Sequence, residues 1–169
     1  SVAVDGDWLL ASGFKEVGDA LGDNSTWLYQ RQTNGTWTLV RRLHQILYEN
    51  DLDEPPVKVA MQGGVAVIIK ESASAIFERS GTSWIAMNSP IVTDGMDVEV
   101  NGGTIVVTND GCNWVTNAYR KGTNGAWTLV RTTPPEPDPD FQLICENEFI
   151  GGDTDVAPNG NSTIVATLS

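Results

Sequence analysis

The chain has 169 residues, which is enough for one domain with a hydrophobic core. Its formal net charge of −12 argues against binding to nucleic acids or anionic membranes, because both need basic patches. The sequence contains no apolar stretch of the roughly twenty residues that a transmembrane helix needs.

The first segment predicts short strands joined by tight turns. Asp5-Gly6-Asp7 interrupts an apolar run, and Asn34-Gly35 separates a strand ending near Arg31 from one beginning at Trp37. Gly-containing pairs of this kind favour type I′ or II′ hairpin turns. Residues 44–50 allow one short helical turn, and we expect almost no helix elsewhere.

The most informative feature is a repeat. Residues 33–41 recur at 123–131 with a single change, from Thr36 to Ala126, and a degraded copy places Phe77 seven residues before Trp84. Upstream of each copy stand an apolar residue, a polar residue followed by Gly, and a β-forming run, at 4–10, 61–68 and 100–107. Each unit therefore predicts a four-stranded antiparallel meander of about 40 to 50 residues, the size of a propeller blade.

The last unit is incomplete. Residues 144–150 resemble a fourth opening, and residues 163–168 resemble a third strand with no Gly-x-Trp strand after it. Proline-rich connectors at 51–56 and 134–140 suit loops between sheets. We predict an all-β, β-propeller-like domain over 1–169 with about three and a half blades, at roughly 1–54, 55–94, 95–136 and 137–169.

These pieces resemble the FG-GAP-type β-propeller repeats of integrin α-chain heads and many secreted proteins. The resemblance covers most of residues 1–133. It consists of the apolar-Asp-Gly-Asp opening, then Tyr-x-Arg and Gly-x-Trp-x-Leu-x-x-x-Leu, as between Tyr29 and Leu43. The family's calcium loops are missing from every copy, so the resemblance implies a propeller scaffold without that ligand set.

A calcium site is one hypothesis for the C-terminal region. Four oxygen-bearing side chains alternate there with other residues, and oxygen is the ligand type that Ca²⁺ prefers: Asp153, Asp155, Asn159 and Asn161. A weaker cluster in the first unit is Asp19, Asp23 and Asn24. Asx-rich turns use the same side chains to bond their own backbone. We expect no other cofactor.

Secretion is suggested by three N-glycosylation sequons, at Asn24, Asn34 and Asn161. Cys112 and Cys145 fall in neighbouring units, so they either form a disulfide between blades or remain two buried thiols. The first residue is Ser rather than Met, so we expect a processed chain, a cut product or a partial sequence.

The aromatic residues of the repeat have two interpretations. Equivalent positions hold Trp37, Trp84 and Trp127, which favours packing between blades over stacking on a sugar or base. Equivalent positions of the third strand hold Tyr29, Phe77 and Tyr119, each followed two residues later by a cation, Arg31, Arg79 or Lys121. We interpret these as core aromatics next to outward, solvated charges.

Catalysis has little support. His44 is the only histidine and no Gly-x-Ser-x-Gly motif accompanies it. Paired carboxylates are unavoidable among 22 acidic residues, and the repeats lack the Asp of a sialidase Asp box. We predict that the protein is not an enzyme.

An open array of blades would expose a hydrophobic edge, which soluble proteins avoid. The open end is completed by other chains, or belongs to a longer propeller, or closes around a defective fourth blade. We favour the first and predict an extracellular or cell- or particle-surface structural and adhesive module. Its partners are other protein chains, in a homo-oligomer or a filament. The alternative is a lectin-like propeller that binds glycans.

Overall fold

The computed structural model describes residues 1–17, 21–49, 57–70, 73–91, 95–109, 115–133, 154–159 and 162–167. These ranges contain fourteen strands and no helix. The strands are β1 (Val2–Asp5), β2 (Trp8–Val17), β3 (Leu21–Arg31), β4 (Trp37–Glu49), β5 (Lys58–Gln62), β6 (Val65–Lys70), β7 (Ala73–Ser80), β8 (Ser83–Met87), β9 (Gly95–Asn101), β10 (Thr104–Asn109), β11 (Thr116–Lys121), β12 (Trp127–Thr133), β13 (Thr154–Asn159) and β14 (Ser162–Thr167).

The strands form three four-stranded sheets and one hairpin. The first sheet has the order β1-β2-β3-β4, the second β5-β6-β7-β8, and the third β9-β10-β11-β12, while β13 pairs with β14. Every pairing is antiparallel between neighbours in sequence. The all-β class and the four-stranded meanders are therefore confirmed. The helical turn predicted at 44–50 is wrong, because β4 continues as a strand to Glu49.

The turns differ between the two ends of a unit. Gly63-Gly64 joins the paired residues Gln62 and Val65, and both glycines have positive φ, as a two-residue type I′ turn requires. At Asn34-Gly35 the prediction of such a turn is wrong. The loop there has three residues, closed by Gln32 N donating to Thr36 O at 2.8 Å, and only its last position needs the left-handed conformation of Gly35.

Loop length explains why the second copy is one residue shorter. Gly81 and Thr82 form a two-residue turn between paired Ser80 and Ser83. Despite this difference, the tryptophan stays opposite the cation in all three sheets. The pairs are Trp37 with Arg31, Trp84 with Arg79 and Trp127 with Lys121.

The register also defines equivalent faces. One row crosses each sheet in the same way, and its members are Val4, Leu9, Tyr29 and Leu39 in the first sheet, Met61, Ala66, Phe77 and Ala86 in the second, and Val100, Ile105, Tyr119 and Leu129 in the third. We call the side that carries this row the leading face of a sheet and the opposite side its trailing face.

Two hydrophobic cores lie between successive sheets. In the first core, Trp8, Leu10 and Leu28 from the trailing face of the first sheet pack against the leading face of the second. In the second core, Val67, Ile69 and Ile76 from the trailing face of the second sheet pack against the leading face of the third. Each internal contact therefore joins a trailing face to the next leading face.

The first strands of successive units are neighbours. Strand β5 lies between β1 and β9, and β13 lies beside β9. Strand β13 thus lies where a first strand would lie, with β14 paired to it, while the fourth opening predicted at 144–150 lies outside the described residues. The described strands form a stack, and no closed barrel or closed propeller is present among them.

Candidate interaction surface

The leading face of the first sheet is an apolar surface that the described residues leave uncovered. Register places eight apolar side chains on it: Val2, Val4, Leu9, Ala11, Trp27, Tyr29, Trp37 and Leu39. Val2, Val4, Trp37 and Leu39 are exposed, and the other four are half-buried. Exposed apolar patches of this kind mark interaction sites on soluble proteins.

The equivalent positions of the third sheet show what a covering sheet does. Val4 is 55% exposed and Trp37 39%, whereas Val100 and Trp127 are each 4% exposed. Trp84 of the second sheet is likewise 4% exposed. Packing of the tryptophan between successive sheets is thus confirmed for Trp84 and Trp127. For Trp37 the prediction is wrong, because no described sheet lies over it.

One position of the fourth strand is exposed whether or not its sheet is covered. Leu39 is 52% exposed and its equivalent Leu129 is 51% exposed, although the third sheet is covered. A covering sheet therefore buries the inner three strands and leaves this position of the fourth strand in solvent. Exposure of Leu39 alone carries no information about a missing neighbour.

We call the leading face of the first sheet the bare face, because no described sheet covers it. One aromatic residue on it has no aromatic counterpart on the covered leading faces of the second and third sheets. Trp27 pairs with Ala11, at the position that Ala75 holds in the second sheet and Asn117 in the third. Its ring lies over Gly13, where an added Cβ would meet the ring carbon Cζ3 at 3.5 Å. With Tyr29 and Trp37 it gives the face three aromatic side chains, the residue class enriched at binding hot spots.

Each leading face also carries polar donors. In the third sheet Trp127 Nε1 donates to Glu78 Oε1 at 2.8 Å, and Lys121 Nζ donates to Glu78 Oε2 at 2.6 Å. Glu78 belongs to the second sheet, so one carboxylate joins the tryptophan and its paired cation across the interface. The interpretation of Lys121 as a purely solvated charge is therefore wrong.

The first interface lacks this arrangement. Gln30 pairs with Trp8 as Glu78 pairs with Val65, so Gln30 stands where the second sheet has Glu78. The buried Trp84 Nε1 has no hydrogen-bond partner. The ring of Trp8 meets that of Trp84 edge to face at 5.6 Å. Apolar contact therefore replaces the carboxylate here.

A shallow depression lies at the edge of the bare face. It has a volume of about 250 Å³ and is lined by Asp7, Arg31, Gln32, Thr33 and Gly35. The lining residues are mostly polar, and the register places the Trp37 indole opposite Arg31.

Most of the predicted site residues lie outside the side chains that the structure describes. These are Asp153, Asp155, Asn159 and Asn161 of the calcium hypothesis, Asp19, Asp23 and Asn24 of the weaker cluster, and Cys112 and Cys145. Within the described ranges, no group of three or more His, Cys, Asp or Glu side chains is placed to hold a metal ion. The catalytic candidate His44 lies in β4, and its side chain is likewise not described.

The sequon at Asn34 is visible. Its side chain is exposed in the three-residue loop, and Oδ1 accepts hydrogen bonds from Thr36 N at 3.0 Å and Thr36 Oγ1 at 2.7 Å. The repeated loop shows that the first of these bonds has a structural role, since Asn124 Oδ1 accepts from Ala126 N at the same distance of 3.0 Å. The asparagine is therefore explained by the turn without a glycan.

Sequence reasoning selected Trp37, although as a residue packed between units, and missed Val2, Val4 and Trp27 as parts of this surface. The signal for the valines was present in the alternation of β1 and in the alignment of Val4 with Met61 and Val100. Trp27 has no aligned aromatic partner, so the repeat gave no reason to select it.

The chain matches no family model, no curated protein and no solved structure. In the part of the chain with described coordinates, no helix has the length and apolarity needed to cross a bilayer.

Proposed function

We propose that the protein is a non-catalytic structural and adhesive module that binds other protein chains through the leading face of its first sheet. In this proposal the sheets are FG-GAP-type propeller blades, and the module acts outside the cell or at a cell or particle surface. The observation that carries the proposal is the exposure of an apolar face whose two equivalents are buried.

The composition of the face supports a protein partner. Its valines, Leu9 and Ala11 supply aliphatic area, and Trp27, Tyr29 and Trp37 add rigid aromatic area. Aromatic residues and Arg are the types enriched at protein interfaces, and Arg31 stands opposite Trp37 on this face. The chain's net charge of −12 makes an anionic nucleic acid or lipid surface a poor partner.

The native particle tests this proposal. Its mass, measured by light scattering on material from the producing cells, should exceed the 18.2 kDa of one chain. Amide hydrogens of β1 should exchange more slowly in that particle than in the isolated chain. A native particle with the mass of one chain and rapid exchange in β1 contradicts the proposal.

The second candidate function is glycan binding at the depression beside Trp37. A polar lining next to a partly exposed indole suits a sugar, which stacks its apolar face on the ring and hydrogen-bonds at its edge. A glycan array separates the two functions. Defined sugar ligands lost in Asp7→Ala and kept in Val4→Lys favour the lectin, because Val4 is not part of the depression.

A further inference from the structure

Both internal contacts of this stack have the same polarity. The trailing face of the first sheet covers the leading face of the second, and the trailing face of the second covers the leading face of the third. The surface known to fit a leading face in this molecule is therefore a trailing surface of the same chain. This rule makes the bare leading face of the first sheet one defined end of the stack, which we call the head.

The opposite end of the stack is the hairpin formed by β13 and β14, which we call the tail hairpin. Strand β13 lies beside β9 as β9 lies beside β5 and β5 beside β1. The hairpin thus continues the series of units in the same direction. No described strand of its own chain covers the head, where Val2 and Val4 are 63% and 55% exposed.

We infer that the tail hairpin of a second copy of this chain covers the head, so that copies associate head to tail. The inference rests on the proposed function and names its partner. In this arrangement β1 of one copy lies beside β13 of the other. The contact continues the row of first strands that β9 and β13 form within one chain.

A symmetric alternative fits the head less well. Two heads packed face to face would join a leading face to a leading face, a polarity that neither internal contact of the stack has. A head-to-tail contact between two copies leaves one head and one tail free. Further copies can therefore add, which produces rings or open filaments.

The test uses the full chain alone and follows its self-association by sedimentation velocity. Salt at about 0.5 M screens the repulsion between copies that each carry −12. Val4→Lys changes the head, and Leu129→Lys is its matched control, because Leu129 is 51% exposed on an outer strand. Ile164→Pro changes the tail hairpin, since proline in the middle of β14 disrupts the pairing with Ala157.

We expect the wild type and Leu129→Lys to associate alike. Val4→Lys and Ile164→Pro should each weaken association at least tenfold. An equimolar mixture of the two variants should form dimers and nothing larger, because the intact tail of the first then meets the intact head of the second.

Two results overturn the inference without touching the proposed function. One is association abolished by Val4→Lys and unchanged by Ile164→Pro, which shows that the head meets another surface. The other is a recombinant chain that stays monomeric while the native particle is larger, which shows that the head binds a different protein. The proposed function fails on a different result: a native particle with the mass of one chain, in which the amide hydrogens of β1 exchange rapidly.

Discussion

The leading faces of the first and third sheets carry closely similar side chains in the same register, and only the third is covered. Val4, Tyr29 and Trp37 correspond to Val100, Tyr119 and Trp127. The second set is buried and the first is exposed or half-buried. Similar local sequences are therefore buried in the third sheet and exposed in the first. The position of each sheet in the stack determines whether its leading face is buried.

The two tryptophans of the repeated nonamer give the largest expected difference. Trp127→Ala should lower the free energy of unfolding by about 3–5 kcal/mol, because it removes a buried indole from the second core. Trp37→Ala should cost less than about 1 kcal/mol in the monomer, since the ring is partly in solvent. Urea unfolding at low protein concentration measures both.

Trp127→Phe serves where the alanine variant does not fold, and it should still cost more than Trp37→Phe. Equal losses at the two positions would mean that the first sheet is covered within one chain, contrary to the exposure of Val2 and Val4.

The carboxylate at the second interface should have the next largest effect. Glu78→Ala leaves Trp127 Nε1 and Lys121 Nζ without their shared acceptor, so we expect a loss of about 1–3 kcal/mol. Glu78→Gln keeps an oxygen for the indole and should cost less, because it removes mainly a partly exposed ion pair.

A double-mutant cycle with Lys121→Met separates the two contacts of Glu78. The coupling energy between Glu78 and Lys121 should fall at high salt, while the cost of Glu78→Ala in the Lys121→Met background should remain. A cost that disappears in that background would assign the whole effect to the ion pair.

The difference between Gln30 and Glu78 leads to a smaller, stabilising prediction. Gln30→Glu places a carboxylate at the position equivalent to Glu78, and the unpartnered Trp84 Nε1 and Arg79 hold the positions equivalent to Trp127 and Lys121. We expect a gain of about 0.5–1.5 kcal/mol. Gln32→Glu is the control, because it adds the same charge two residues further on, at an exposed position. A gain common to both variants would indicate a general charge effect.

Much of the fold followed from the sequence, because turn chemistry and the repeat are local. The double glycine at 63–64 and the strand ends near Arg31 and Trp37 needed only the conformational demands of short hairpins. The burial of Trp84 and Trp127 followed from their equivalence. The exposure of Trp37 could not be predicted from the repeated nonamer, since it depends on which sheets are neighbours in the structure.

The candidate surface was harder to predict for a related reason. Its residues come from four strands, and β-bulges between Thr26 and Trp27 and between Leu28 and Tyr29 shift the register in β3 and β4. A face cannot be assembled from alternation alone across such shifts. The role of Glu78 also required the register, because its partners lie 43 and 49 residues away.

The smallest expected effect concerns pH and the buried tyrosine of the third sheet. Burial raises the pKa of the Tyr119 phenol above its ordinary value of 10.0, because the ionised form is poorly solvated in the core. The unfolded chain ionises near that ordinary value, so the stability linked to this group is complete below pH 10.0 and is lost as the pH rises through the raised pKa of the folded state. Tyr119→Phe removes the ionisation. The wild type should therefore lose stability relative to this variant only in alkaline solution, which urea unfolding across the pH range measures. Parallel curves for the two proteins well above pH 10.0 would show that Tyr119 is reached by solvent, and that the cover over the third sheet's leading face is looser than its packing indicates.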